Sequence, residues 1–160
     1  MLLRPQPLSR THDVSSFDCG VESLNHWLIH HALQAHHAGS AKTFVVLTET
    51  GIVAGYFSLT VGQIDVMEAP ARIAKGMGQF PIPVILLARL AVDKRWQRKG
   101  VGGSMLREAV LKTLVLSENV GIRAILVHPL NNSAKEFYMK YGFIISPVRE
   151  QQLLLLSNAP

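Results

Sequence analysis

Gln97-Arg98-Lys99-Gly100-Val101-Gly102-Gly103-Ser104 is the stretch that decides how this chain is read. Before it stands Val84–Val92, a nearly continuous apolar run of the kind that forms a strand covered on both faces. After it, Leu106, Ala109, Val110, Thr113, Leu114 and Ser117 recur at helical spacing. Asp93–Gly103 is therefore a basic, glycine-rich turn that follows a buried strand and opens a helix. Glycines at such a place let a ligand approach the backbone. The N–H groups of the helix N-terminus then favour an anion. Arg98 and Lys99 add positive charge, so the expected ligand is a phosphate or pyrophosphate. Two common phosphate loops do not fit. No Lys follows Gly102 or Gly103, as a Walker loop requires. The dinucleotide pattern fails from Gly100, because position 105 is Met.

The rest of the chain frames that turn. Its 160 residues suit one domain, expected to span 1–160. A hydrophobic share of 48 % with 17 % charged residues excludes whole-chain disorder. No apolar run is long enough for a membrane helix, and Arg4, Pro5 and Pro7 do not begin a signal peptide. Cys19 is the only cysteine, so neither an internal disulfide nor a cysteine zinc site is expected, and a cytoplasmic protein is the default. Sixteen Lys and Arg against eleven Asp and Glu give +5, which favours a polyanionic partner. Arg89, Lys94, Arg95, Arg98 and Lys99 crowd together, with Asp93 the only acid among them.

Leu2–Leu8, with its prolines, suits an extended edge. Val21, Leu24, Leu28, Ala32 and Ala35 predict one helix over residues 20–37, ended by Gly39 and Ser40. Thr43–Thr48 and Ile52–Ile64 read as a hairpin around Thr50-Gly51. Residues 65–83 read as a loop with one helical turn around Ala71–Lys75. Arg123–Val127 is a buried strand, Pro129–Asn132 a turn, Ser133–Tyr141 a short helix closed by Gly142, and Gln151–Leu156 a final strand. The mixture makes an α/β sheet domain.

Gln97–Gly102 fits Gln/Arg-x-x-Gly-x-Gly/Ala, which resembles the pyrophosphate loop of the GNAT superfamily of acetyl-coenzyme A-dependent N-acetyltransferases. Asn132-Ser133-Ala134-Lys135-Glu136-Phe137-Tyr138 and Tyr141-Gly142-Phe143 resemble the second hallmark of that superfamily, the helix beside the coenzyme arm. The resemblance implies one mixed, mostly antiparallel central sheet with a splayed strand pair, flanked by helices. It implies acetyl-CoA as co-substrate, held by Leu90, Ala91 and Val92 on the splayed strand, by Gln97, Arg98, Lys99, Gly100, Val101, Gly102 and Gly103 on the loop, and by Asn132, Ala134 and Phe137 on the later helix. Arg98 departs from the pattern, because related loops often carry Gly there. Pro129 after His128 is a second departure.

N-acetyl transfer needs a neutral amine, a polarised carbonyl and a proton for the leaving thiolate. A backbone N–H at Leu90 or Val92 can polarise the carbonyl. Tyr138 matches the tyrosine that serves GNAT enzymes as general acid, and a phenol is protonated at neutral pH. Its alternative is a core or coenzyme-stacking tyrosine, and Tyr56 lines a groove or packs in the core. No carboxylate stands out as the base: Asp93 faces solvent or caps its loop, and Glu49 sits at a hairpin turn. That leans toward an α-amino acceptor, already partly neutral at pH 7, or toward a base acting through water.

Three further stretches narrow the resemblance: His12–Gly20 with Leu24–Leu28, Pro81–Asp93, and Arg123–His128. Together they look like the TacT-like GNAT toxins of bacterial type II toxin–antitoxin modules. That implies acetylation of the α-amino group of aminoacyl-tRNA, which blocks translation. It also implies a homodimer, a ribbon–helix–helix antitoxin, and operator DNA bound only through the antitoxin complex. Arg72, Lys75, Arg89, Lys94 and Arg95 are the candidate tRNA contacts, through phosphates. An acetyltransferase for a small-molecule or protein amine and a non-catalytic coenzyme-binding co-repressor stay open beside this reading. His26, His30 and His37, at helical spacing, lack an inward third ligand, so no metal is expected. Cys19 lacks an activating partner.

Overall fold

The computed structural model describes residues 1–157. In chain order the elements are β1 (Gln6–Pro7), α1 (Glu22–His30), α2 (Ala32–Ala38), β2 (Lys42–Leu47), β3 (Val53–Ile64), α3 (Ala71–Ala74), β4 (Ile82–Val92), α4 (Val101–Ser117), β5 (Ala124–Val127), α5 (Asn132–Lys140), β6 (Ile144–Ile145) and β7 (Leu153–Leu156). The strands form one sheet in the order β1-β2-β3-β4-β5-β7-β6. The described ladders are antiparallel except β4 on β5, where Val84–Leu86 run parallel to Ala124–Leu126. This parallel ladder ends at Leu86, while β4 continues to Val92.

The chain forms two compact units: Met1–Thr60 with Ala88–Ala109, and Val61–Leu87 with the chain from Val110 on. In the first, Leu28 and Ala32 of the helices bury against Val45 and Tyr56 of the hairpin. Gly55 is required there. A Cβ at that position would stand 2.9 Å from the Met105 sulfur and 3.1 Å from the Ala91 carbonyl oxygen. In the second unit, Ile73 of α3 packs with Ile82, Val84, Leu126 and Leu154, all buried. Each such aliphatic side chain contributes roughly 1.5–3 kcal/mol on leaving water.

The expected single helix over 20–37 is two helices, broken at His31 (φ −126°, ψ −28°). Periodicity conceals the break. The His31 N–H still reaches the Trp27 carbonyl, and Ala35 N–H reaches His31, so the apolar spacing survives. Gly39, in the left-handed region at φ +83°, ends the second helix as expected. β4 begins at Ile82 and takes in Pro83, which the sequence puts in the loop. The parallel ladder starts only at Val84, so the proline's missing N–H breaks none of it. α4 begins at Val101, so Gly102 and Gly103 lie in its first turn, where N–H groups have no intrahelical partner. α5 starts one residue before the expected Ser133, because Asn131 is its N-cap and accepts from Ala134 N–H at 2.9 Å.

Candidate active site

The glycine-rich loop is built on a buried acid. Asp93, 2 % exposed, directly follows β4, and its N–H donates to the Ala54 carbonyl. Its Oδ1 accepts from Arg95 N–H at 2.9 Å and Arg95 Nε at 3.0 Å. Its Oδ2 accepts from Arg95 Nη2 at 3.2 Å and from Asp18 N–H at 3.1 Å. Burial pushes this carboxyl up, but the Arg95 and Asp18 hydrogen bonds outweigh it and hold the group below its ordinary value. Asp93 thus caps the short 3-10 turn Lys94–Trp96 and does not face solvent.

The same carboxylate clips the turn at residues 18–20 onto the loop. Lys94 N–H donates to the Asp18 carbonyl, and its ammonium lies 3.5 Å from the Asp18 carboxylate. The Gln97 side-chain amide donates to the carbonyls of Cys19 at 2.9 Å and Val92 at 2.8 Å. Gln97 is therefore a brace, and what it offers a ligand is its main chain. Asn25, buried, completes the clip by accepting from Cys19 N–H and donating to Asp18. Neither Asp18 nor Asn25 was among the expected site residues. Their sequence signals are the Asp-x-Gly turn at Asp18–Gly20 and their place in the stretches His12–Gly20 and Leu24–Leu28.

Beyond Gln97 the chain turns through two left-handed residues, Arg98 at φ +62° and Gly100 at φ +82°. Glycine suits such a conformation and arginine resists it, which is the physical content of Arg98 standing where glycine is usual. A Cβ at Gly100 would meet nothing within 4 Å, so the backbone there is open to a ligand. Lys99 and Arg98 are exposed, and Val101 is buried as α4 begins. Gly102 and Gly103, half-buried, add the first-turn N–H groups. These residues fit a pyrophosphate: an open left-handed glycine, two cations and the start of a 17-residue helix. Leu90 and Val92 are half-buried and Ala91 buried at the end of β4.

Tyr138 lies on α5, 8 % exposed, with its ring 5.2 Å from Phe137 and 5.4 Å from Phe143. Burial pushes its hydroxyl up to about 12. Asn132 opens the helix and is exposed, while Ala134 and Phe137 are half-buried on the same element. Tyr141, the C-cap, is exposed. Tyr56 is fully buried, donates to the Leu24 carbonyl at 2.7 Å and stays protonated through desolvation, so it belongs to the core.

The five cations expected at RNA stand in different circumstances. The Arg89 guanidinium lies 3.8 Å from the Trp27 ring centre, and desolvation draws its pKa down. Arg95 is paired with Asp93 and Lys94 with Asp18. Arg72 and Lys75 are exposed. Their carbonyls, with that of Ile73, accept from the Arg123 guanidinium, a brace the sequence did not reveal. Cys19 is buried, and burial raises its thiol. The His26 ring contacts His30 and His31, whereas His37 lies beside His36 on the second helix.

Comparison with known proteins places this geometry. The model of the acetyltransferase (GNAT) domain matches residues 39–145. A tRNA-acetylating toxin of Mycobacterium tuberculosis is 40 % identical over 152 residues, 95 % of this chain and 90 % of that protein. AtaT complexed with acetyl-methionyl-tRNAfMet superposes with a TM-score of 0.90 at 28 % identity, covering 98 % of this chain and 95 % of that one. A Tyr-to-Phe mutant of KacT superposes at 0.91 and 26 % identity, covering 98 % and 95 %. Other AtaT structures, at TM-scores of 0.82 and 0.79, hold the antitoxin AtaR with acetyl-CoA and AtaR with DNA.

Proposed function

The chain belongs to the GNAT acetyltransferase family and is an acetyl-CoA-dependent N-acetyltransferase, and on that premise we propose that it is the toxin of a type II toxin–antitoxin module. It moves the acetyl group of acetyl-CoA to the α-amino group of aminoacyl-tRNA, and the capped amine can no longer take part in elongation. One observation carries the reading: the 40 % identity to a tRNA-acetylating toxin extends over 95 % of the chain and is not confined to the coenzyme loop.

Residues 1–160 act as one catalytic domain. Gly100, Gly102 and Gly103 offer main-chain N–H groups to the pyrophosphate, with Arg98 and Lys99 supplying charge. Leu90 or Val92 N–H holds the carbonyl oxygen as negative charge develops there. The acceptor amine attacks the carbonyl carbon directly, so no acyl-enzyme forms. The carbon–sulfur bond breaks and Tyr138 delivers its proton to the sulfur; the proton that the acylated nitrogen gives up passes through water and returns the phenolate to phenol. A phenol raised to about 12 keeps that proton at every physiological pH. Apolar surroundings raise a thiol as well as a phenol, so both partners of the transfer shift in the same direction. Arg72 and Lys75 meet tRNA phosphates. Arg89, Lys94 and Arg95 do so only with the part of their charge that Trp27, Asp18 and Asp93 leave.

AtaT structures with its antitoxin and with DNA support partners of that kind; the homodimer and the ribbon–helix–helix type are part of our proposal. The toxin forms a homodimer in the cytoplasm, a ribbon–helix–helix antitoxin neutralises it, and operator DNA is bound through that complex. Among the described residues no helix is long and apolar enough to cross a membrane. The test supplies purified protein with total charged tRNA and acetyl-labelled coenzyme. Label in the RNA fraction, released by mild deacylation as an N-acetyl amino acid, supports the reading and names the amino acid. Label that passes instead to free amines overturns the tRNA assignment.

A further inference from the structure

We propose that Arg89 selects the unprotonated form of the acceptor amine and so stands in for a general base, an inference that rests on the aminoacyl-tRNA reading above. Side chains alternate along β4. Arg89 reaches Trp27 of α1, and Ala91 joins the core of Leu28 and Tyr56, so both point to the face that α1 covers. Leu90 and Val92 alternate with them and point to the opposite face. There α4 packs, with Met105 in the space that a Cβ on Gly55 would need. A coenzyme held at the first turn of α4 brings its thioester to the main chain of Leu90–Val92 from the α4 side. The attacking amine comes from the other side, where Arg89 stands.

The guanidinium is fixed and keeps its charge. It lies 3.8 Å from the Trp27 ring centre, is half-buried, and enters no ion pair among the described residues. From β3, Tyr56 is the titratable group on which its charge acts, and burial keeps that hydroxyl protonated. From α1, Trp27 brings no charge, while His26 and His30 are exposed and contact each other. The turn before α1 contributes the buried Cys19 thiol and Asp18, whose carboxylate faces Lys94. Asp93, which follows β4, is spent on Arg95 and on the Asp18 N–H. No carboxylate of this set is left to neutralise Arg89.

A cation beside an amine disfavours the ammonium form, and more so where water is excluded. An α-amino group is already partly neutral near about pH 7, so a modest push suffices where a lysine amine would need a base. The ammonium gives its proton to solvent as it enters, and the neutral amine attacks. The guanidinium itself neither gains nor loses a proton. The free substrate is unaffected, so kcat/KM still follows the titration of the free amine. What changes is the bound state: ammonium is repelled, and an unreactive complex does not accumulate.

The test follows single turnovers at saturating charged tRNA by rapid quench, from about pH 6 to about pH 9, for the parent, Arg89→Met and Arg89→Lys. The parental rate is expected to rise with a midpoint about one unit below that of the free amine, ~7.7–8.0 in peptides. Arg89→Met is expected to return the midpoint to the free value. Its deficit against the parent should be about fivefold greater at about pH 6.5 than at about pH 9, and KM, pH-dependent in the parent, should become flat. Arg89→Lys keeps the charge and should keep most of the lowered midpoint. A contact with an RNA phosphate alone would change KM alike at every pH. A parental midpoint equal to that of the free amine overturns the proposal, as does an Arg89→Met protein slowed by one factor throughout, the mark of a structural role. If charged tRNA takes no acetyl group, the toxin reading fails, and the same titration on the amine that does take label decides the role of Arg89. If charged tRNA is acetylated with an unshifted midpoint, the role of Arg89 alone fails.

Discussion

Asp93→Ala tests whether one buried carboxylate holds the coenzyme loop to the turn at Asp18. The substitution removes the acceptor for two backbone donors, Asp18 N–H and Arg95 N–H, and for two nitrogens of the Arg95 side chain. The Arg95 side chain is 51 % exposed and is rehydrated when freed, so its share of the ion pair counts for little. The two backbone donors weigh about 1 kcal/mol each, or more where water cannot replace the carboxylate. The expected loss is therefore about 2–3 kcal/mol, a fall in melting temperature of roughly 4–12 °C for a chain of this size. Asp93→Asn keeps one oxygen acceptor and is expected to lose about half as much. The folded carboxyl lies below its ordinary value. Its contribution is thus complete above the unfolded pKa of about 3.9 and disappears as pH falls through the lower folded value. Scanning calorimetry of parent and variants between pH 3 and 8 should show a constant gap from about pH 5 upward, closing toward the acid end. Both variants should also raise KM for acetyl-CoA. An Asp93→Ala protein that melts within about 1 °C of the parent, well inside the expected shift, refutes the role of this hub.

Tyr138→Phe removes a hydroxyl whose raised pKa comes from burial, so folding should not suffer, while the general acid is lost. A fall in kcat of roughly a hundredfold or more is expected with acetyl-CoA binding unchanged; a variant keeping a tenth of the parental rate retires the acid assignment. The pH profile of kcat/KM on charged tRNA should rise as the acceptor α-amino group deprotonates, near ~7.7–8.0 in peptides, then stay level, because Tyr138 remains protonated well beyond that range. A falling limb below about pH 10, the ordinary phenol value, contradicts a buried tyrosine acid. Arg98→Gly relieves a left-handed arginine and removes one cation from the pyrophosphate loop. The melting temperature should not drop, and KM for acetyl-CoA should rise and lose part of its salt dependence; an unchanged KM would place Arg98 outside the coenzyme site.

What was legible in the sequence was local. The glycine-rich loop could be read because its strand, glycines, cations and helix are consecutive, and the structure has β4, the turn and α4 in that order. Gly100 has the left-handed backbone and open space that the motif requires. Tyr138 could be read from its helix, although two adjacent asparagines hid which one caps it. The illegible parts depend on partners far along the chain. Nothing near Asp93 announces that Asp18, 75 residues earlier, donates to it. Nothing near Arg123 announces that its guanidinium closes the end of α3, some 50 residues away. The break at His31 was invisible for a different reason: apolar spacing reports which residues are buried, and the kink leaves that spacing intact.

The charge reading shows most clearly why contacts matter more than counts. A run of five cations with one acid suggests a uniformly positive strip, but the fold divides it. Asp93 neutralises Arg95, Asp18 draws in Lys94, and Trp27 covers one face of Arg89. Arg95 and Lys94 are tied to the glycine-rich loop and its neighbouring turn, and Arg89 lies over Trp27 of α1. In the first compact unit that leaves Arg98 and Lys99 exposed beside the open glycine, the cations our proposal assigns to the coenzyme's phosphates. In the second, Arg72 and Lys75 are exposed and enter no ion pair among the described residues. Arg123 fixes their backbone, and their exposed side chains are the ones our proposal sets against tRNA phosphates. A shallow dependence of tRNA affinity on salt follows, because each released counterion requires a cation not already neutralised by its own protein.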